Sequence, residues 1–180
     1  MTDLTDKGLI HVYYGDGKGK TSAALGLALR ASGSGKKVTV VQFLKDSASG
    51  ELSQLELLPN VAVLRGKDPS KMFAFDMDDA ARAVTKRIHD ENLARASALA
   101  RDGACDALIL DEALDALDLG LLDADAFSEL LRNKPSPLEL VITGHRPADW
   151  ITELADYVTE MRKIKHPYDR GIKGRRGIEF

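Results

Sequence analysis

Gly15-Asp16-Gly17-Lys18-Gly19-Lys20-Thr21-Ser22 is the stretch whose residue types and spacing point most directly to chemistry. Glycines alternating with polar residues let the backbone turn its N–H groups inward, forming a concavity for an anion. Lys20 adds a point charge for phosphates, and the Thr21 hydroxyl is suited to hold the Mg2+ that accompanies them. A short apolar strand (Ile10, Val12, Tyr13, Tyr14) precedes the loop, and an Ala/Leu-rich helix (Ala23, Ala24, Leu25, Leu27, Ala28, Leu29) follows it. That order marks a P-loop, because the helix N-terminus adds its dipole at the same point. A glycine-rich hairpin with surface lysines would lack this context. The loop is a variant, since Tyr14 stands where the usual pattern begins with glycine.

The second informative stretch is Ala107-Leu108-Ile109-Leu110-Asp111-Glu112. Two carboxylates ending a core strand cost desolvation unless they are paired or bound to a metal. Downstream of a P-loop, this is where such folds put the acid that orients the metal. The competing reading makes Asp111 the N-cap of a helix from Glu112 to Leu119; beside a P-loop, the metal reading is preferred. Asp115 and Asp118 are expected on the solvated face of that helix. Thr143-Gly144-His145-Arg146-Pro147 closes another strand, at the end where open α/β sheets bind ligands.

The elements that must position these residues alternate between strand and helix signals, which predicts an α/β fold with a mostly parallel sheet and helices on both faces. Strands are expected at 9–14, 38–43, 61–64, 107–110, 138–142 and 157–161. Helices are expected at 20–32, 51–57, from Asp76 to about 101, 112–119, 123–132 and 150–155. In the long helix, Met77, Ala80, Ala81, Val84 and Ile88 suggest an apolar stripe. The segment from Gly66 to Phe75 is the least regular. The chain has 180 residues, 44% apolar and 29% charged, with a net charge of −3. These values suit one soluble domain, 1–180, with a flexible N-terminus (1–7) and a basic tail (162–180). They argue against attraction to nucleic acid or membrane. The acidic, polar start does not resemble a signal or transit peptide. The single cysteine, Cys105, excludes an internal disulfide and is expected as a small core residue, so a cytoplasmic location is the expectation.

A P-loop by itself permits several activities. No Asn-Lys-x-Asp guanine-reading motif is present, since Asn133-Lys134-Pro135-Ser136 lacks the aspartate, and this weighs against a GTPase. A small-molecule kinase (P-loop phosphotransferase) using the basic tail as its lid stays open. So does a non-catalytic, ATP-gated binding protein.

Over nearly its whole length the chain resembles the ATP:corrinoid adenosyltransferases of the CobA/CobO/BtuR type. The residues that carry the resemblance are Gly15 to Thr21, Val41-Gln42-Phe43-Leu44-Lys45, Leu110-Asp111-Glu112-Ala113, Thr143-Gly144, Ala155 to Met161, Lys165-His166-Pro167, Gly171-Ile172-Lys173 and Gly177 to Phe180. The variant first position of the loop is typical of that family. The resemblance implies a P-loop NTPase-like (RecA-like) fold and transfer of the 5′-deoxyadenosyl group of ATP to the Co(I) of a reduced corrinoid, releasing triphosphate. It implies ATP bound by Gly15, Asp16, Gly17, Lys18, Gly19, Lys20, Thr21, Ser22 and Lys45, lying reversed in the loop. Lys20 and Glu112 are the expected catalytic pair, with Mg2+ (or Mn2+) on Thr21 and Glu112 and with Asp111 behind them or as an alternative ligand. Phe73 and Phe75, matching a Phe-Thr-Trp triplet in the family, are expected to displace the lower axial ligand of the corrinoid. His145, where many relatives carry Arg, and Arg146 complete the corrinoid contacts. The expected partners are an electron-donating flavoprotein reductase and a second copy of the chain.

Overall fold

A computed structural model describes residues 7–45, 50–66 and 76–178. Six strands form one sheet: β1 (Ile10–Tyr14), β2 (Val38–Gln42), β3 (Val61–Leu64), β4 (Ala107–Asp111), β5 (Glu139–Gly144) and β6 (Tyr157–Glu160). Their order across the sheet is β3-β2-β4-β5-β1-β6, and every neighbouring pair is parallel. Parallel strands need crossover connections, and helices supply them. These are α1 (Lys20–Gly33), α2 (Gly50–Leu55), α3 (Asp79–Arg101), α4 (Ala113–Asp118), α5 (Ala124–Arg132) and α6 (Asp149–Leu154).

The helices divide between the two faces of the sheet. Ala24, Leu25 and Ala28 of α1 and Leu52 and Leu55 of α2 pack with Val38, Val40 and Ile109 on one face. Leu93 and Ala96 of α3, Leu114 of α4, Phe127 and Leu131 of α5 and Ile151 of α6 cover the other. A sheet covered on both sides buries both faces of its central strands, which is why β2 and β4 are buried throughout and mostly apolar. The edge strand β6 is exposed along its whole length.

The expected elements are present, with ends shifted by a few residues. The long helix differs most. Asp78 caps it by accepting from the Ala81 N–H, and its buried residues are Thr85, His89, Leu93, Ala96, Ser97 and Ala100. The expected stripe does not face the core: Ala80 is exposed, and Ala81, Val84 and Ile88 are only half-buried. Two polar residues, Thr85 and His89, take the inward positions and conceal the true face from a count of apolar residues. Cys105 is buried, its thiol donating to the Ala107 carbonyl, and burial pushes its pKa up. Among the described residues no helix is long and apolar enough to cross a membrane.

The carboxyl ends of β2, β4, β5 and β1 lie side by side in the sheet, which gathers four chain exits on one rim. α4 packs so closely on that rim that Gly144 is required. Its φ is +156°, and a Cβ there would sit 2.5 Å from Leu114 Cβ. Gly144→Ala is expected to lower stability by about 1–3 kcal/mol, the usual range for overpacking, as measured by urea denaturation.

Candidate active site

The loop between β1 and α1 is fastened from behind. Gly15 N–H donates to the His145 carbonyl at 3.1 Å and Gly17 N–H to the Met161 carbonyl at 2.7 Å. Side chains at Gly15 or Gly17 would collide with that Met161 oxygen, at 2.4 and 2.6 Å. Glycine is needed at both for close backbone approach, and at Gly15 also for its φ of +115°. Asp16 points away and is fully exposed, its Oδ1 accepting from the Lys163 N–H at 2.9 Å, a bond that lowers its pKa. Gly19 caps α1 with φ +117° and no side-chain acceptor, so the first-turn amides carry no side-chain cap. Lys20 folds back, its Nζ donating to the carbonyls of Gly15 at 2.6 Å and Gly17 at 3.0 Å.

Asp111 lies at the centre of the rim, and its side chain has no exposed surface. Its Oδ1 accepts from the hydroxyls of Thr21 at 2.9 Å and Thr143 at 2.8 Å. Its Oδ2 accepts from Gln42 Nε2 at 3.1 Å and Lys45 Nζ at 2.7 Å. Four donors, from α1, β2, β5 and the segment beyond β2, thus surround one carboxylate. Asp111 does not cap α4; that place belongs to Glu112, in a left-handed conformation with φ +60°. Its backbone N–H donates to Thr143 Oγ1 at 2.9 Å, and its side chain reaches Lys45 Nζ at 3.2 Å.

Glu112 and Leu44 (φ +57°) are the only non-glycine residues with positive φ among those described. Both adjoin the Asp111 cluster, and backbone strain of this kind gathers at functional sites. His89, from α3, holds Leu44: its Nε2 accepts from the Leu44 N–H at 3.3 Å, while Nδ1 lies 2.9 Å from the Leu121 carbonyl oxygen. Electrostatics divides the three charged groups. Burial pushes the Glu112 carboxyl up and Asp111 adds to the rise, with Lys45 opposing. Burial works to lower Lys45, but Asp111 and Glu112 outweigh it and the ammonium is held above its ordinary pKa. The lysine gains two anions, whereas Glu112 gains one cation and one anion, so the charged form is favoured at the lysine and disfavoured at the glutamate.

Beside this cluster opens a cleft of about 940 Å3. Gly17, Lys18, Gly19, Lys20, Thr21, Ser22, Lys45 and Glu112 line it, while Gly15 lies buried behind the loop. His145 lines it too, held by Asp115, whose Oδ1 is 2.9 Å from His145 Nδ1 and 3.2 Å from the His145 N–H. The expectation that Asp115 is merely solvated is therefore corrected; Asp118 is exposed as expected. Arg146 is exposed next to His145. Gly177 and Ile178 bring the end of the tail to the cleft, where Lys18 Nζ donates to the Ile178 carbonyl at 3.4 Å. Phe73 and Phe75 lie outside the described residues, as do residues 1–6 of the N-terminus.

The sequence gives no role to Gln42 or His89, places Thr143 only within the polar cluster that closes its strand, and puts Asp115 on a solvated helix face. A polar residue near the carboxyl end of a mostly apolar strand, Gln42 in β2 and Thr143 in β5, is the signal available for the first and the third of these residues. Thr143→Val keeps the shape but removes a donor to buried Asp111 and the acceptor for the Glu112 N–H. It should lower stability by about 1–3 kcal/mol in urea denaturation, the cost of leaving buried polar groups unpaired.

Known proteins share this chain's sequence along most of its length. Residues 6–180 match the family model for the ATP:corrinoid adenosyltransferase BtuR/CobO/CobP. The chain is 36% identical to the corrinoid adenosyltransferase of Escherichia coli K12 over 177 residues, covering 97% of this chain and 87% of that one. It is 34% identical to the Pseudomonas aeruginosa corrinoid adenosyltransferase over 176 residues, 97% and 85% of the two chains. The Salmonella typhimurium corrinoid adenosyltransferase CobA is 32% identical, with 97% and 87% covered. The loop, the buried Asp111 and the tail that returns to the cleft all fall within the matched span, and the chain belongs to the ATP:corrinoid adenosyltransferase family.

Proposed function

We propose that this chain transfers the 5′-deoxyadenosyl group of ATP to the Co(I) centre of a reduced corrinoid, releasing triphosphate, in adenosylcobalamin synthesis or salvage. Family membership supports the reaction class. The observation that carries it to this site is the convergence of Lys20, Thr21, Lys45 and Glu112 on one cleft at the carboxyl rim of the sheet. On this reading, residues 1–180 act as one P-loop NTPase-like (RecA-like) domain, with Gly15 to Ser22 as its P-loop.

Cobalt uses its own electron pair to attack C5′. A Co–C bond forms, the C5′–O bond breaks, and that bond's electron pair leaves on the triphosphate. No proton is transferred, so no general base is needed. The chain's work is to align C5′ with the corrinoid and to stabilise the departing charge. The loop amides and first turn of α1 supply fixed dipoles, and Lys20 turns from the Gly15 and Gly17 carbonyls to the phosphates.

The donor set fits Mg2+ or Mn2+. A threonine hydroxyl and two carboxylates are hard oxygen ligands, and here they already surround a cation, the Lys45 ammonium. Thr21, Glu112 and Asp111 would hold the metal, with Asp111 Oδ1 also accepting from the Thr21 hydroxyl. When bound, it would neutralise charge on the triphosphate oxygens.

Phe73, Phe75, His145 and Arg146 are assigned to the corrinoid. The two phenylalanines displace its lower axial ligand, a change that eases reduction of Co(II) because axial ligation tunes the potential. A flavoprotein reductase supplies the electron, and the enzyme works in the cytoplasm as a homodimer.

Anaerobic incubation of the protein with MgATP and chemically reduced cob(I)alamin is expected to give a light-sensitive Co–C product and stoichiometric triphosphate. ADP as the product would instead mean a phosphotransferase with the basic tail as its lid, and binding without turnover would mean an ATP-gated binding protein. Lys20→Ala should reduce turnover in this assay by about 10²-fold or more, as loss of a preorganised charge-stabilising donor does elsewhere. Phe73→Ala and Phe75→Ala should spare the reaction with pre-reduced Co(I) but impair the reaction driven from Co(II) by a reductase. Equal losses in the two assays would assign these rings to folding.

A further inference from the structure

Lys45 is more completely engaged than a phosphate-binding lysine need be. Its Nζ lies 2.7 Å from Asp111 Oδ2, 3.0 Å from Thr21 Oγ1 and 3.2 Å from Glu112 Oε1. An ammonium has three N–H donors, and here there is one oxygen for each, which leaves none for a phosphate. The backbone that carries it is pinned on both sides. His89 accepts from the Leu44 N–H at 3.3 Å, and Arg65 Nη2 donates to the Lys45 carbonyl at 2.7 Å. Any change of partner by Lys45 is therefore a rotation of its side chain, which is 25% exposed and lines the cleft.

The three oxygens around this ammonium are those assigned above to the divalent metal. A metal ion and an ammonium cannot share them, because two cations at such short separation repel strongly in a half-buried site. We infer that Lys45 is a tethered surrogate for the metal: it occupies the Thr21, Asp111 and Glu112 oxygens in the empty enzyme and is exchanged off them when the metal arrives. The inference rests on the reading of those oxygens as the metal site.

Two consequences follow from the geometry. The buried Asp111 charge is compensated before any ligand binds, so the fold does not depend on the metal. Metal alone must also displace an ammonium that then has no anion to meet, whereas metal entering with ATP delivers the triphosphate that receives it. Lys45 thus links metal binding to nucleotide binding, and such linkage acts equally in both directions.

The test uses the full chain and Mn2+ as the probe, with free Mn2+ read by electron paramagnetic resonance. Lys45→Met removes the ammonium while keeping an unbranched side chain, and should bind Mn2+ without nucleotide about tenfold or more tightly than the wild type, within the usual range of coupling between sites. Equal or weaker binding by the variant, with Mn2+ bound by both proteins, would overturn the exchange and leave the metal site standing. Absence of Mn2+ binding by either protein, with or without ATP, would overturn the metal site and the exchange with it. A second measurement needs no variant. Saturating Mn2+ should raise acetylation of Lys45 by acetic anhydride several-fold in the wild type, read by peptide mass spectrometry; unchanged labelling would overturn the proposal.

Discussion

The full burial of one carboxylate, Asp111, organises the whole carboxyl rim of the sheet. An isolated ionised carboxylate away from water is prohibitively costly, so the fold must bring donors to it. It brings Thr21 from the start of α1, Gln42 from the end of β2, Lys45 from the segment beyond it and Thr143 from β5. Each donor belongs to an element that neighbours β4 in the sheet or crosses its rim. The strand order β2-β4-β5-β1 is what makes this possible, since it sets β4 between two donor strands and keeps β1 only one strand further away. Removing one partner of such a group usually costs more than its pairing contributes, because the remaining charge stays buried.

The same constraint accounts for the local strain. Glu112 must leave the Asp111 strand and turn its side chain towards Lys45 while its N–H reaches Thr143, and it does so with φ +60°. Leu44 turns at φ +57° on the other side of the lysine, with His89 bonded to its N–H. An unhindered loop would relax out of both conformations. They persist because the rigid layers above and below over-determine the positions of their neighbours.

The contact between tail and loop joins this centre to the rest of the cleft. Met161, just beyond β6, offers its carbonyl to the Gly17 N–H, and Asp16 holds the Lys163 N–H. Ile178 then reaches the cleft although its side chain is largely exposed. An edge strand with little burial of its own is thereby tied to the loop on which the proposed chemistry depends. His145 meets the cleft by the same logic of local fastening, with Asp115 fixing both its backbone and its ring.

Much of the fold was legible in the sequence, because it rests on short-range physics. Alternating apolar runs and helical segments announce a parallel α/β sheet, and the glycine spacing before Lys20-Thr21 announces a tight turn between strand and helix. Asp111 and Glu112 stood out because charge ending a core strand is expensive in any fold. What the sequence could not display was partnership. Gln42 and Lys45, close to each other, lie far from Asp111 in the chain, as does Thr143, and only strand order and register bring them together, with Gln42 opposite Asp111. The inward face of α3 was obscured for a related reason. Thr85 and His89 are polar by type, and nothing local shows that a histidine such as His89 will find Leu44 and Leu121 waiting in the interior. Periodicity reports the average polarity of a face, whereas burial of a polar side chain is decided by hydrogen-bond partners that only the tertiary structure supplies.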